Sequence, residues 1–192
     1  NAHYQVSTLG SARVAGRETD IVVIRPLDSY RYGYRFYLDR ESGMPLKTDL
    51  IDEGDQTLEQ LMFTSIRFSD AGEPPPDAPA EPAAAAATLE VEPGGASSGW
   101  RFAQIPSGFA QVMRDTLTDP AGAEVEHFLF SDKLSSYSVY IEADAPGGLT
   151  GSTRIGAVNA AGRQIGGHQV TAVGEVPVAT VEAAVAGASP IL

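Results

Sequence analysis

RYGYRFYLD at residues 31–39 and SGMPLKTD at residues 42–49 form one strand–turn–strand pattern early in this sequence. Tyr34, Phe36 and Leu38 alternate with polar neighbours, which is the two-residue period of a half-buried β-strand. The Ser-Gly pair that opens the second run is typical of a hairpin turn. Together the two runs predict an antiparallel sheet with one apolar face.

The rest of residues 1–68 extends this sheet. Further strands are predicted at Tyr4–Ser7, Arg13–Ala15, Ile21–Ile24 and Thr57–Phe68, with a turn near Gly10. We therefore expect a meander of five or six strands without a helix long enough to cover it. A sheet of this size cannot bury its apolar face alone.

Because no predicted helix covers this sheet, we expect one of its faces to expose apolar side chains. We expect this face to be formed by five side chains: Tyr34, Phe36, Leu38, Leu61 and Phe63. The unpaired edges of the sheet are predicted to be completed by another copy of the chain, by a preceding segment that is missing here, or by a strand from a partner.

Residues 69–99 have the composition of a flexible linker. Six of the 13 prolines of the chain fall here, beside an alanine run and a Gly/Ser-rich end. Too few large apolar side chains are present to offset the entropy of ordering. The segment is predicted to separate a first domain, residues 1–68, from a second, residues 100–192.

The second domain is predicted to be α+β. Strands are expected at residues 125–130, 137–142, 153–158, 162–166 and 168–173, while residues 109–117 fit either a helix or a strand and we favour a strand. Pro177 is expected at the first position of a helix that ends at Gly187.

Two features of this domain have an alternative functional interpretation. The aromatic side chains Phe128, Phe130, Tyr137 and Tyr140 indicate a cross-strand core, or else a groove for a partner on the opposite face. Glu175 lies beside the predicted helix N-terminus, where a carboxylate interacts favourably with the helix dipole, or else contacts a partner.

No segment of the sequence predicts an enzyme, a cofactor or a metal site. The G-x-S-x-G string at residues 95–99 lacks the preceding strand and following helix that hold a serine nucleophile. His3, His127 and His168 are too scattered for metal ligands, and the chain has no cysteine. A net charge of −12 opposes nucleic-acid binding. A binding protein is the remaining class.

Four motifs resemble the MucB/RseB family of periplasmic negative regulators of the sigma-E/AlgU-type envelope-stress response. They are R-Y-G-Y at residues 31–34 with the hairpin after it, P-x-G-F at residues 106–109, an S-D-x-L element at residues 131–134, and V-G-E-V-P-x-x-T at residues 173–180. Lys133 replaces the glycine usual in the third motif. The hairpin is shared more loosely with LolA-type lipoprotein carriers.

The resemblance implies a partial LolA-like half-barrel that is incomplete at its N-terminus, followed by a small C-terminal α+β domain. It implies a periplasmic protein that binds the periplasmic domain of a MucA/RseA-like anti-sigma factor, protects it from proteolysis, and senses lipid or lipopolysaccharide fragments. The alternative is a LolA-like lipid or lipoprotein carrier. Homo-oligomerisation stays open.

Overall fold

The chain forms two β-rich domains in a computed structural model that describes residues 2–68, 99–118, 122–143 and 147–191. The first domain contains β1 Tyr4–Val14, β2 Arg17–Pro26, β3 Gly33–Asp39, β4 Pro45–Ile51 and β5 Thr57–Met62. The second contains β6 Trp100–Phe102, β7 Ala110–Thr118, β8 Glu124–Ser131, β9 Ser136–Ala143, β10 Gly151–Ile155, β11 Val158–Ile165, β12 His168–Gly174, α1 Val178–Gly187 and β13 Ala188–Pro190. The predicted antiparallel α+β class is confirmed.

The first domain is one open antiparallel sheet in the order β1-β2-β3-β4-β5. The turn predicted near Gly10 is wrong, because β1 runs through this position. The register of β1 against β2 shifts between Thr8 and Gly10, where Gly10 has a φ of 104°. This is a β-bulge, and its glycine supplies a backbone conformation that other residues rarely adopt.

The second domain is a six-stranded antiparallel sheet with the strand order β10-β11-β12-β9-β8-β7. Residues 110–118 form strand β7, as predicted. The single strand predicted over residues 153–158 is wrong, because a tight turn between Ile155 and Val158 divides it into the ends of β10 and β11. The short strands β6 and β13 pair with each other.

Helix α1 covers one face of the six-stranded sheet and packs on β11 and β12. Pro177 is its N-cap, so the helix begins one residue later than predicted. Val181 and Val185 are buried in the core beneath it, and Gly187 is its last residue. The opposite face of the sheet, called the outer face below, faces away from the helix.

The two domains contact each other directly in the described residues. Tyr32 and Leu50 of the first domain form a small apolar cluster with Ala157 of the second. The predicted linker, residues 69–99, lies outside the described residues except for Gly99, as does the serine of the G-x-S-x-G string. In the part of the chain that the structure describes, no helix has the length and apolarity needed to cross a membrane.

Candidate partner-binding groove

A groove of about 410 Å³ lies where β3 of the first domain meets the outer face of the second. It is lined by Tyr34, Leu129, Leu134, Ser135, Ser136, Tyr137, Ser138, Val158, Val173, Gly174 and Glu175. The apolar side chains Leu129, Val158 and Val173 are only half-buried there. Partly solvated apolar side chains in a concave site are the usual floor of a binding site.

Strand register explains why these residues share one surface. Leu129 pairs with Ser138, Ser138 with Val173, and Val173 with Ala160, so one row crosses four strands on the outer face. Residues directly opposite each other in an antiparallel sheet point to the same side. The row therefore places Leu129 and Val173 on one surface, with Ser138 between them.

The next row of the outer face carries an aromatic pair. His127 and Tyr140 are directly opposite each other, and their rings stack with centroids 4.5 Å apart. The Nε2 atom of His127 is 2.9 Å from the hydroxyl oxygen of Ser138, which lines the groove. Burial lowers the pKa of His127. The pair extends the groove along the sheet as a neutral, flat aromatic surface at pH 7.

The five residues named as partner contacts separate into two groups. Phe128, Phe130 and Tyr137 are buried in the core beneath α1, and the rings of Phe130 and Tyr137 stack with centroids 5.1 Å apart. In this structure these rings are not accessible to a partner, so the core interpretation describes them. Tyr140 is half-buried on the outer face and Glu175 is exposed at the groove.

Of the five residues of the apolar face predicted in the first domain, Tyr34, Phe36 and Leu38 are half-buried, and Leu61 and Phe63 are exposed. Tyr34 stacks on Phe36, and across the sheet Val22, Phe36, Thr48 and Leu61 form one row. Leu61 is 77% exposed, and Phe63 beyond it is also exposed. The face therefore begins at the groove, at Tyr34, and continues to the open edge at β5.

A buried ionic centre holds the domains together beside the groove. The Nε of Arg31 donates to an Oδ2 atom of Asp132 at 2.5 Å, and the hydroxyl of Tyr4 donates to the same oxygen at 2.8 Å. Asp28 and the carbonyl oxygen of Ser107 accept from the other two nitrogens of the guanidinium. Arg31 is fully buried, and a buried charge is tolerated only when it is paired in this way.

Electrostatics at this centre favour the ionised pair. Burial alone would raise the pKa of Asp132, but hydrogen bonds from the backbone N–H of Ser135, from Arg31 and from the backbone N–H of Leu134 outweigh burial and lower it. Burial raises the pKa of the Tyr4 hydroxyl, which therefore keeps its proton and donates it to the carboxylate.

A second set of polar contacts joins the domains on the other side of the ionic centre. The side-chain amide of Asn159 donates to the hydroxyl of Tyr32 at 2.9 Å and to the carbonyl oxygen of Val176 at 2.8 Å. The hydroxyl of Thr180 donates to the carbonyl oxygen of Tyr30 at 2.6 Å. These contacts tie the start of α1 to the segment before β3.

Arg31, Asp132 and Asn159 are functional candidates that the sequence interpretation missed. Arg31 and Asp132 each lie within a motif that carries the family resemblance, which was the available signal. Their pairing was not predictable, because 101 positions separate them. The burial of Arg31 can be recognised only after the contact between the two domains is known.

A larger cleft of about 530 Å³ opens beside Asn159, on the side away from the groove. It is lined by Tyr32, Asp52, Glu53, Gly54, Ser152, Thr153, Arg154, Asn159, Pro177 and Val178. Most of its lining residues are of polar or charged types, with Pro177 and Val178 as the apolar members. We therefore take the smaller groove, with its half-buried apolar row, as the candidate site.

Metal chemistry has no support in the described residues. They contain no group of three or more His, Cys, Asp or Glu side chains that could hold a metal ion. His3 lies against Gly108, His127 stacks on Tyr140, and His168 packs edge-on to Trp100, so the three histidines have separate structural environments.

Comparison with known proteins places both domains in one family. Residues 1–88 match the MucB/RseB N-terminal domain, and residues 95–189 match the MucB/RseB C-terminal domain. The chain is 33% identical over 192 residues to the sigma factor AlgU regulatory protein MucB of Pseudomonas aeruginosa, covering 93% of this chain and 58% of MucB. It is 28% identical over 179 residues to the sigma-E factor regulatory protein RseB of Escherichia coli K12, covering 91% of this chain and 56% of RseB.

Solved structures give the same result for the fold. The structure resembles MucB in the MucA/MucB complex of Pseudomonas aeruginosa with a TM-score of 0.78 and 29% identity, covering 100% of this chain and 66% of that one. It resembles a crystal structure of MucB with a TM-score of 0.66 and 30% identity, covering 99% and 64%. The chain spans a little over half the length of the curated relatives, 58% and 56%.

Proposed function

We propose that this chain, which belongs to the MucB/RseB family, is a periplasmic regulatory protein that binds the periplasmic region of an anti-sigma factor and shields it from proteolysis. The groove between the domains is the site. One observation carries this assignment: apolar side chains of both domains converge in a single concave surface without apolar cover, with Tyr34 on one side and Leu129 and Val173 on the other.

The relatives supply the class of partner. Two of the similar structures are complexes of MucB with MucA, and one of them contains the periplasmic part of MucA. The most specific chemistry of the groove is apolar, with the exposed carboxylate of Glu175 at its side. A partner segment that presents apolar side chains and a neighbouring Lys or Arg fits this surface.

The proposal is tested by fluorescence anisotropy with the periplasmic region of Pseudomonas aeruginosa MucA. Val173→Asp places an unpaired carboxylate in the groove and should weaken binding by about tenfold or more. The matched control is Ile155→Asp, at a side chain 81% exposed in the same domain, which should bind like the wild type. Absence of binding by the wild type, or equal losses in both variants, would overturn the proposal.

Binding alone accounts for this function, without catalysis. The named relatives are regulatory proteins, and the only nucleophile-like string, around Ser97, lies outside the described residues. Ser97→Ala should leave anti-sigma binding unchanged, and neither form should hydrolyse a p-nitrophenyl ester. An esterase activity that Ser97→Ala abolishes would contradict the binding assignment.

A second candidate function, binding of lipid-like envelope components or lipid carriage, is favoured by the apolar face of the first domain. Leu61 and Phe63 are exposed, Leu61 lies in one cross-strand row with Thr48 and Phe36, and exposed apolar surface is typical of an interaction site. Mass spectrometry of solvent extracts should find lipid bound to the wild type. Leu61→Glu should lose it, whereas Leu27→Glu, an exposed leucine between β2 and β3, should retain it. Extracts without lipid would remove this candidate.

A further inference from the structure

The relative orientation of the two domains rests on non-covalent contacts in the described residues. The first domain is described to residue 68 and the second from residue 99. Between them, the contact with the most restrictive geometry is the ionic centre at Arg31, whose side chain is fully buried. Because its hydrogen bonds are directional, a contact of this kind constrains the relative orientation of the domains as well as stabilising their association.

The guanidinium of Arg31 fixes three directions at once. Nε donates to Asp132 of the second domain, one terminal nitrogen donates to Asp28 of its own domain, and the other donates to the carbonyl oxygen of Ser107 of the second domain. The ring of Phe109 lies over the guanidinium carbon at 4.6 Å. Because the guanidinium is planar and its donors are rigid, these partners define an angle between the domains that an ammonium group would not define.

Both members of the ion pair connect directly to the walls of the groove. Oδ1 of Asp132 accepts from the backbone N–H of Leu134 at 2.9 Å and from that of Ser135 at 2.7 Å, and both residues line the groove. On the other wall, Tyr34 follows Arg31 by three positions, and its hydroxyl donates to the carbonyl oxygen of Leu134 at 3.4 Å. A change at the ion pair therefore moves one wall relative to the other.

We infer that Arg31 and Asp132 are positioning residues of the groove: their buried pair sets the angle between the domains and so the shape of the surface that receives the partner. This inference rests on the proposed function for its binding consequence, but its structural half does not. Neither side chain touches the partner, since both are buried beside the groove and not in it.

The test measures domain orientation and binding in the same full-length chain. Because the chain has no cysteine, Ser11→Cys and Ile155→Cys introduce one exposed spin-label site in each domain. Double electron–electron resonance should give a narrow distribution of distances between the two spin labels in this protein. The distribution should become broader or shift when Arg31→Lys or Asp132→Asn is added. Both variants should bind the MucA periplasmic region roughly fivefold or more weakly.

The matched control is Arg17→Lys, which makes the same substitution in an ion pair confined to the first domain. Arg17 donates from Nε and a terminal nitrogen to Asp39, at 2.6 and 3.0 Å, and that pair does not join the domains. Distance distribution and affinity should both remain those of the wild type. The amide hydrogens of β2 and β12 should remain protected from exchange in all variants, which shows that each domain stays folded, and Asp132→Asn serves alone if Arg31→Lys does not fold.

The possible outcomes distinguish the inference about domain orientation from the proposed binding function. A broadened distribution with weakened binding supports the inference. An unchanged distribution in both variants overturns it, and a broadened distribution with unchanged affinity overturns the link between orientation and binding. If the wild type does not bind at all, the proposed function fails, and the distance measurements still decide whether the ion pair orients the domains.

Discussion

Gly108→Ala should destabilise this protein more than a glycine substitution at an ordinary turn. Gly108 belongs to the P-x-G-F turn and has a φ of 88°. A Cβ atom at this position would lie 2.5 Å from two atoms of the His3 ring and 2.7 Å from Nη2 of Arg31. His3 and Arg31 come from the first domain, so the close contact lies at the junction between the domains.

Two costs add at this position. The left-handed conformation costs about 1 kcal/mol for alanine. The overlap cannot be relieved by a simple rotation of Arg31, since its nitrogens already donate to Asp132, Asp28 and the Ser107 carbonyl oxygen. Overpacking of this kind costs about 1–3 kcal/mol. The expected loss in the free energy of unfolding is therefore about 2–4 kcal/mol.

Gly166→Ala is the matched control. Gly166 lies in the same domain with a φ of 58°, and a Cβ atom there would meet no atom within 4 Å. Its cost should be the conformational one alone, about 1 kcal/mol. Urea unfolding followed by the fluorescence of Trp100, the only tryptophan and a buried one, measures both. Equal losses in the two variants would refute the close packing of the two domains at Gly108.

Three further predictions concern stability measured in the same way. Asn159→Leu leaves the buried Val176 carbonyl without its donor and should cost about 1–3 kcal/mol, whereas an unchanged midpoint would contradict the hydrogen bond between Asn159 and Val176. Tyr137→Phe removes a buried hydroxyl that has no hydrogen-bond partner among the described residues, so stability should stay equal or rise by about 1 kcal/mol; a clear loss would show a hidden partner. The pKa of Asp132 is lowered in the folded state, so its stabilisation is complete above about pH 4 and is lost as the pH falls through the lowered value. Wild type should therefore lose more stability on acidification than Asp132→Asn, and parallel losses would refute the assignment.

Local periodicity predicted most of the strands because each depends on neighbouring residues. Alternation in residues 31–39 correctly predicted β3. Failures occurred where a glycine has two possible roles. Gly10 was interpreted as a turn and is a bulge within β1, and Gly156 was placed within a strand and lies in a hairpin turn. Only pairing with the neighbouring strand distinguishes these alternatives.

The candidate site was less predictable than the fold, because the two faces of a sheet carry different roles and α1 decides which face is covered. Phe128 and Phe130 were identified as an aromatic cluster, but the sequence left open whether they formed the core or a groove. On the other face, Leu129 had no distinctive sequence signal, and Val173 lies in the fourth motif without any sign of which face of the sheet it occupies. A site formed by residues of two domains leaves no pattern within any single stretch of the sequence that would predict it.

The motifs that carry the family resemblance supply residues of the groove, such as Tyr34 and Val173, and they also supply the junction between the domains. The first motif supplies Arg31, the second supplies Ser107 and Phe109, and the third supplies Asp132. In the fourth motif, the carbonyl oxygen of Val176 accepts a hydrogen bond from Asn159, and the hydroxyl of Thr180 donates one to the carbonyl oxygen of Tyr30. All four therefore meet where the domains touch.

These contacts specify the relative orientation of the two domains. We expect partner choice to depend on groove residues, of which Leu129 and Val158 lie outside the motifs. Neither residue takes part in the ionic centre, so we expect substitutions there to change binding with little effect on the angle between the domains. The chain thus separates the residues that orient its two domains from those that would distinguish one anti-sigma segment from another.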